Sequence, residues 1–530
     1  MPSDCISYQN SGYFSKLIVD YLNQSPEVQS FYHRFPSIEN FKDQIAEKNV
    51  NFPSEHRKTL VASLKNQYQN FDMSDSTLSH IELLNEANTF TITTGHQLNL
   101  FTGPLYFLYK IINTINLAKE LKKSYPDFNF VPVYWMATED HDFEEINHFQ
   151  FKDKKIVWNR ESNGPIGRYS TEGLEAVFNA FSIELGPGQN ADFLKNLFKK
   201  AYLEHQNLAD ATRFIANELF KNEGLIIIDG DDSDLKKLFI PYIKQELLEQ
   251  KSFKTVSETV TNFGDYAVQV NPREINLFYI ENTLRERIVY ENGKFLVNNT
   301  TLQFSEAELL QEVDNHPEKF SPNVILRPLY QEVILPNLCY IGGGGEIAYW
   351  LELKSNFEAY EITFPMVLVR NSVLLVSEKQ AAKIDKLGLS WADLFSKQSN
   401  LISKKTKELS EFNLDFTEQK KFLTNQFNKL RDIASKTDAS FSGAVKAQEA
   451  KQLKGLENLE KRLLKAEKKK HQEQLKRIIE IQEQLFPNQS LQERKANFSE
   501  FFLTEGESLF TTLYGSLNPL SSDFSIIPLQ

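Results

Sequence analysis

The 530-residue chain has a formal net charge of −12, with 25% charged and 41% hydrophobic residues, the balance of an ordinary globular protein long enough for several domains. That acidity excludes a global attraction to nucleic acid or to an anionic membrane surface. Its two cysteines, Cys5 and Cys339, cannot build a disulfide framework or a thiolate zinc site, which fits a reducing compartment.

The first residues, Met1-Pro-Ser-Asp-Cys-Ile, lack a basic region followed by an apolar one, and no apolar run approaches membrane-spanning length. A soluble, cytoplasmic protein is expected. Up to about residue 88 the pattern is helical, with Leu17, Ile18, Tyr21 and Leu22, then Leu60, Leu64 and Tyr68, on amphipathic faces.

From Thr89 to His148 the chain reads strand, glycine turn, helix, strand and polar cluster. Thr89–Thr94 alternates apolar and β-branched polar residues and ends in Gly95-His96-Gln97. Thr102-Gly103-Pro104 opens a helix whose Leu105, Leu108, Ile112 and Ile115 share one face. Phe130–Met136 is nearly all apolar, as a parallel strand covered on both sides requires. Thr138-Glu139-Asp140-His141-Asp142 follows. In an open α/β sheet ligands bind beyond the carboxyl ends of the strands, so these two strand ends are expected to form one active site.

Residues 149–200 hold short strand-like pieces and Gly/Pro punctuation, which predicts an inserted lobe rather than another crossover helix. The core resumes over 201–251, with a helix at Leu208–Leu219 feeding the strand Gly224–Asp229. Asp229, at that strand tip, is expected to face the site, and Asp232 and Asp234 to cap the next helix. A second insert spans 252–320, with strands near Tyr266–Val270 and Leu277–Ile280 and a hairpin at Asn292-Gly293. The core is completed over 321–395, where Arg327 and Arg370 are expected at strand ends, and Gly342-Gly343-Gly344-Gly345-Glu346 could offer an anion its backbone amides. Residues 396–486 are Lys/Glu/Gln-rich with spaced apolar positions, which predicts an antiparallel coiled-coil hairpin. The tail, 487–530, is apolar enough to dock on the core.

Chemistry-bearing residues concentrate in three places. Asp140 and Asp142 flank His141, and carboxylates there would raise its pKa and fix its tautomer for general-base work. His96 and Gln97 stand opposite, and the glycine run provides the third. No second cluster with ligand spacing accompanies the acidic one, so no metal site is predicted. Arg327 and Arg370, expected at strand ends of the same sheet, carry guanidinium forks that suit carboxylates or phosphates, which implies a polar, anionic substrate.

Thr94-Gly95-His96-Gln97, Phe101–Tyr106, Val131–Trp135 with Glu139–Asp142, and Arg327-Pro328 with Tyr340–Trp350 resemble the bacillithiol biosynthesis enzymes, the cysteine ligases that add cysteine to glucosaminyl-malate. The likeness continues through Gly224–Asp229, Pro365–Arg370, the coiled-coil segment and Leu491–Arg494. It implies an α/β fold: a Rossmann-like parallel-sheet core of the class I nucleotidyltransferase type, two connective inserts, a long antiparallel coiled coil and a homodimer. It also implies L-cysteine and glucosaminyl-malate as substrates, with ATP or ADP as the nucleotide and neither nucleic acid nor membrane as partner. His141 would be the base, oriented by Asp140 or Asp142. Gly95, His96, Gln97, Thr102, Gly103, Glu139, Asp229, Arg327, Gly342 to Gly345, Glu346 and Arg370 would bind substrate or nucleotide. The chain departs from the family pattern at His96, where glutamine is usual, and at Gly344, where proline is common. It has no lysine-rich adenylate loop, Ser377–Gln380 being the nearest stretch. The competing readings are a non-catalytic coiled-coil scaffold with a degenerate nucleotide fold, and a nucleotidyltransferase acting on another small polar substrate.

Overall fold

The computed structural model describes residues 4–529, which divide into two units, residues 4–375 with 492–529, and Val376–Leu491. In the first unit, five strands make an all-parallel sheet: β1 (Thr89–His96), β2 (Asn129–Met136), β3 (Ile226–Asp229), β4 (Asn337–Gly342) and β5 (Met366–Val369). Their spatial order is β3-β2-β1-β4-β5, the doubly wound arrangement whose strand order reverses between β1 and β4. Both faces are covered. Leu60, Leu64, Leu108 and Ile112 pack with Val131 and Val133 in one cluster. Phe41, Ile45, Leu117 and Leu121 pack with Phe90 and Ile92 in another. Each such side chain contributes about 1.5–3 kcal/mol by leaving water.

β1 is buried along its whole length, its threonines included. They are satisfied across the sheet: Thr93 Oγ1 donates to Asn337 Oδ1 at 2.8 Å and Thr94 Oγ1 to the Ile341 carbonyl at 2.7 Å. The helix Tyr106–Ser124 makes the crossover from β1 to β2.

The first insert differs from expectation. After the pair His148–Phe151 and Lys154–Val157 it forms two helices, Leu174–Leu185 and Gln189–Leu203. Gly186-Pro187-Gly188 only separates them, and Leu174, Val177, Phe181 and Leu185 supply the buried helical face. The second insert begins as a helix, Lys251–Thr261, has no strand at 266–270, and then forms an antiparallel five-stranded sheet. Its Asn292-Gly293 hairpin has positive φ at both residues, 51° and 80°, as a type I′ turn demands. Arg327 is not at a strand end. It opens the helix Arg327–Ile334, with Pro328 in the first turn. The tail buries Phe498, Leu509 and Leu513 in the main core, and Asp523–Leu529 pairs antiparallel with Asp4–Ser7.

The second unit is helical. Thr417–Ala434 and Ala439–Lys470 form its hairpin, with Phe427, Ala434 and Val445 buried between them. Arg431 pairs with Glu449 near the turn and Lys420 with Glu460 further from it, so the helices run antiparallel. No helix among the described residues is long and apolar enough to cross a membrane.

Candidate active site

The carboxyl ends of β1, β2, β4 and β5 open into a cavity of about 920 Å³. Gly95, His96 and Gln97 line it from β1, Thr138, Glu139 and Asp140 from β2, Gly343, Gly345 and Glu346 from β4, and Arg370 from β5. Phe278, Arg285 and Arg287 of the second insert line it as well. A side chain at position 95 would bring its Cβ within 2.9 Å of the Tyr340 hydroxyl, so a larger residue there would press on the Tyr340 ring.

Lys110 bridges the point where strand order reverses. It is 4% exposed, and its ammonium donates to the Gly95 carbonyl at 2.7 Å and pairs with Glu346 at 2.6 Å. Burial lowers its pKa against the pull of Glu346. Burial raises that of Glu346, but Lys110, the Gly343 amide and the Tyr340 hydroxyl bring it below the ordinary carboxylate range. Glu346 therefore occupies the Gly343 amide, at 2.8 Å. The glycine run is no free anion cradle: Gly344 faces Phe14 and Ile18, and Gly342 packs against Tyr340 and Ile347. Arg370 is likewise committed, to Glu493 at 2.8 Å. Arg327 is not. It stands over the rings of Trp135 and Tyr340 and bonds only the neutral side chains of Gln331 and Tyr349.

The Gln97 side-chain amide donates to Asp140 and Glu145, each at 2.9 Å. Glu139 is buried and pairs with Lys236. His96 is buried against Tyr106 and Phe107 and bonds the Thr102 carbonyl at 3.3 Å. Burial, then the nearby Lys110 charge, push its pKa down to about 3, so it is neutral at physiological pH.

His141 corrects the expectation most sharply. Its Nδ1 lies 2.6 Å from Arg285 Nη1 and 3.8 Å from Asp140 Oδ1. A guanidinium can only donate, so the Nδ1 lone pair is occupied and the neutral ring carries its proton on Nε2. Burial and Arg285 outweigh Asp140 and Asp142, and the pKa falls rather than rises. Asp142 is exposed, with its amide 3.5 Å from Asp140 Oδ1.

Three further expected site residues lie outside the cavity. Thr102 and Gly103 form the tight turn beneath it, with φ of 69° and 62°, and a Cβ at Gly103 would meet Asn99 at 2.5 Å. Asp229 lines a second cavity of about 580 Å³ with Thr138, Arg168 and Asp231. Burial and Asp231 raise its pKa to about 6. Asp232 caps the following helix through the Leu235 amide at 2.9 Å. Among the described residues no group of three or more His, Cys, Asp or Glu side chains comes together as a metal site. Cys339 is buried, which raises its pKa well above the ordinary thiol value and makes it inert.

Lys110, Arg285, Arg287 and Glu145 were not singled out in the sequence. The signal for Lys110 is a single charge within the first three turns of its helix, among Tyr106, Phe107, Leu108, Ile111, Ile112 and Ile115. The strand Leu284-Arg-Glu-Arg-Ile288 reads as solvent-facing until the sheet is assembled.

Two family models match the chain: "Bacillithiol biosynthesis BshC, N-terminal Rossmann-like domain" over residues 1–371, and "Bacillithiol biosynthesis BshC, C-terminal coiled-coil domain" over residues 373–529. A protein of Flavobacterium johnsoniae named "Putative cysteine ligase BshC" is 65% identical over 529 residues, covering 100% of both chains. Proteins of the same name from Flavobacterium psychrophilum and Christiangramia forsetii are 64% and 55% identical, each over 99% of both chains. A solved structure titled as a putative arginyl tRNA synthetase from Campylobacter jejuni covers 83% of this chain and 95% of its own at 11% identity, with a TM-score of 0.23, too low to bear on the fold. With both domain models matched in order and relatives aligned end to end, the chain belongs to the bacillithiol biosynthesis BshC family.

Proposed function

We propose that this protein joins the carboxyl group of L-cysteine to the amine of glucosaminyl-malate, forming the amide of bacillithiol. The carrying observation is the cavity at the strand-order reversal, lined both by the Arg327 guanidinium, which has no carboxylate partner, and by Asp140 and Glu145, joined by Gln97. The relatives named as cysteine ligases and the bacillithiol-biosynthesis family support ligation of cysteine in that pathway. Arg327 holds the reacting carboxylate, since guanidinium forks suit carboxylate oxygens. Asp140 and Glu145 receive the amine, and one of them takes its proton as nitrogen attacks the acyl carbon. His141, with its Nδ1 lone pair held by Arg285, keeps that guanidinium in place rather than acting as the base.

A carboxylate oxygen is a poor leaving group, and ATP, when bound, supplies the group that converts it into a better one. Arg327 and the exposed Arg494 fit phosphate oxygens, while the Gly343 amide, already used by Glu346, does not. Two copies associate through the helical hairpin.

The test is direct. Purified protein given cysteine, glucosaminyl-malate and ATP should form the conjugated thiol, read by mass spectrometry. Absence of product with ATP and with other nucleotides would refute the reading.

A further inference from the structure

We infer that the second insert carries a dedicated carboxylate subsite, centred on Arg287, that selects an acceptor bearing a dicarboxylate. The inference rests on the reaction proposed above and adds what the cavity recognises beyond the reacting amine.

Four observations carry it. Arg285 and Arg287 are two residues apart on the strand Leu284–Glu291, so they project to the same face, and both line the cavity. Their charges are managed differently. Arg285 lies over the Phe278 ring at 3.9 Å and is tied to His141. Arg287 sits opposite Phe278 in the sheet register and has no hydrogen bond or ion pair from its side chain among the described residues. Its Nε is buried without a partner, as is that of Arg285.

A partly buried guanidinium without a counter-charge is costly, and here the cost is relieved when an anion enters. Elsewhere in the cavity Lys110 is neutralised by Glu346 and Arg370 by Glu493. Arg327 stands on the core, over Trp135 and Tyr340, whereas Arg287 stands on the insert sheet. Besides Arg494, the cavity thus offers an anion one place on the core and another on the insert sheet. Arg327 serves the carboxylate that reacts. Arg287, with the free edge of Arg285 beside it, serves carboxylates that do not react, which are those of the malyl group.

Arg287→Ala and Arg287→Lys would be compared with the wild type after matching melting temperatures, with Arg287→Gln replacing the alanine variant if that one fails to fold. Losing a charged hydrogen bond of about 1.5–3 kcal/mol corresponds to about 10- to 150-fold. KM for glucosaminyl-malate should therefore rise by about that factor in Arg287→Ala, less in Arg287→Lys, with KM for cysteine unchanged. With glucosamine as acceptor, which lacks the dicarboxylate, wild type and variant should be equally slow.

Calorimetry with free L-malate and, separately, inorganic phosphate reads the subsite without the reaction. Malate binding lost in Arg287→Ala supports it, even in a protein that makes no product, in which case only the proposed reaction fails. An active enzyme whose KM for glucosaminyl-malate and malate affinity are unchanged in Arg287→Ala overturns the subsite alone. So does Arg287-dependent binding of phosphate without binding of malate.

Discussion

Arg285 reaches across from the second insert to place its Nη1 2.6 Å from His141 Nδ1. The contact joins residues 144 positions apart in sequence and fixes which imidazole nitrogen is free. His141 is thereby a support for an arginine instead of the base that its two aspartate neighbours implied.

His141→Ala should accordingly lose less than about tenfold in turnover, short of the ~10²–10⁴ that a lost general base costs. Its pKa is pushed down by burial and Arg285, so the imidazole is neutral above the ordinary histidine range. The pH–rate profiles of variant and wild type should then be parallel at neutral and alkaline pH. A fall of more than a hundredfold in a stably folded variant would restore the base assignment.

His96 yields a stability prediction. Its folded pKa of about 3 lies below the unfolded value, so the unfolded chain binds the extra proton. The stabilisation from a neutral His96 is complete above about pH 6.5 and is lost as pH falls from there toward about 3. Melting curves should show wild type losing stability faster than His96→Gln between about pH 7 and about pH 4. Parallel losses would contradict the assignment.

The Lys48–Glu332 pair, at 2.9 Å with side chains 2% and 0% exposed, ties the helix Ile38–Asn51 to the element leading into β4. Glu332 also accepts from Asn337 at 2.6 Å. Lys48→Met leaves a buried carboxylate unpaired and should cost about 3–5 kcal/mol in denaturant unfolding. Replacing both partners by apolar residues should cost much less. Equal losses in the single and double variants would show that the charge is not what matters.

Much of this fold was legible in the sequence because its signals are local. The apolar run of β2, the glycine that ends β1 and the sparse-glycine coiled-coil stretch each report their own structure. The site was half legible. Gly95, Gln97 and Asp140 follow their strands into the cavity, but Arg285 and Arg287 sit in alternating charges that read as a solvated strand. Only the assembled sheet turns them inward. The pKa of His141 is hidden from the sequence for the same reason: Asp140 and Asp142 are neighbours in sequence, whereas Arg285 is a neighbour only in space. Thr102 and Gly103 looked like ligand contacts because a strained turn and a binding loop use the same residues.

The helical hairpin leaves Phe422 67%, Ile433 56% and Leu459 52% exposed, a row of large apolar side chains that a single copy leaves in water. Phe422→Lys with Ile433→Lys should shift the mass measured by light scattering from dimer to monomer without altering the helical circular dichroism. A wild-type protein that is monomeric at micromolar concentration would refute association through this surface.

Whether the cavity bridged by Lys110 adds cysteine to glucosaminyl-malate will show in the thiol and precursor pools of a strain lacking this gene, complemented with wild type or with Lys110→Ala. The account predicts accumulated glucosaminyl-malate and no bacillithiol in the deletion strain, recovery with the wild-type gene, and failure to recover with Lys110→Ala made at normal abundance. An unchanged thiol pool in the deletion strain, or full recovery by Lys110→Ala, would contradict it.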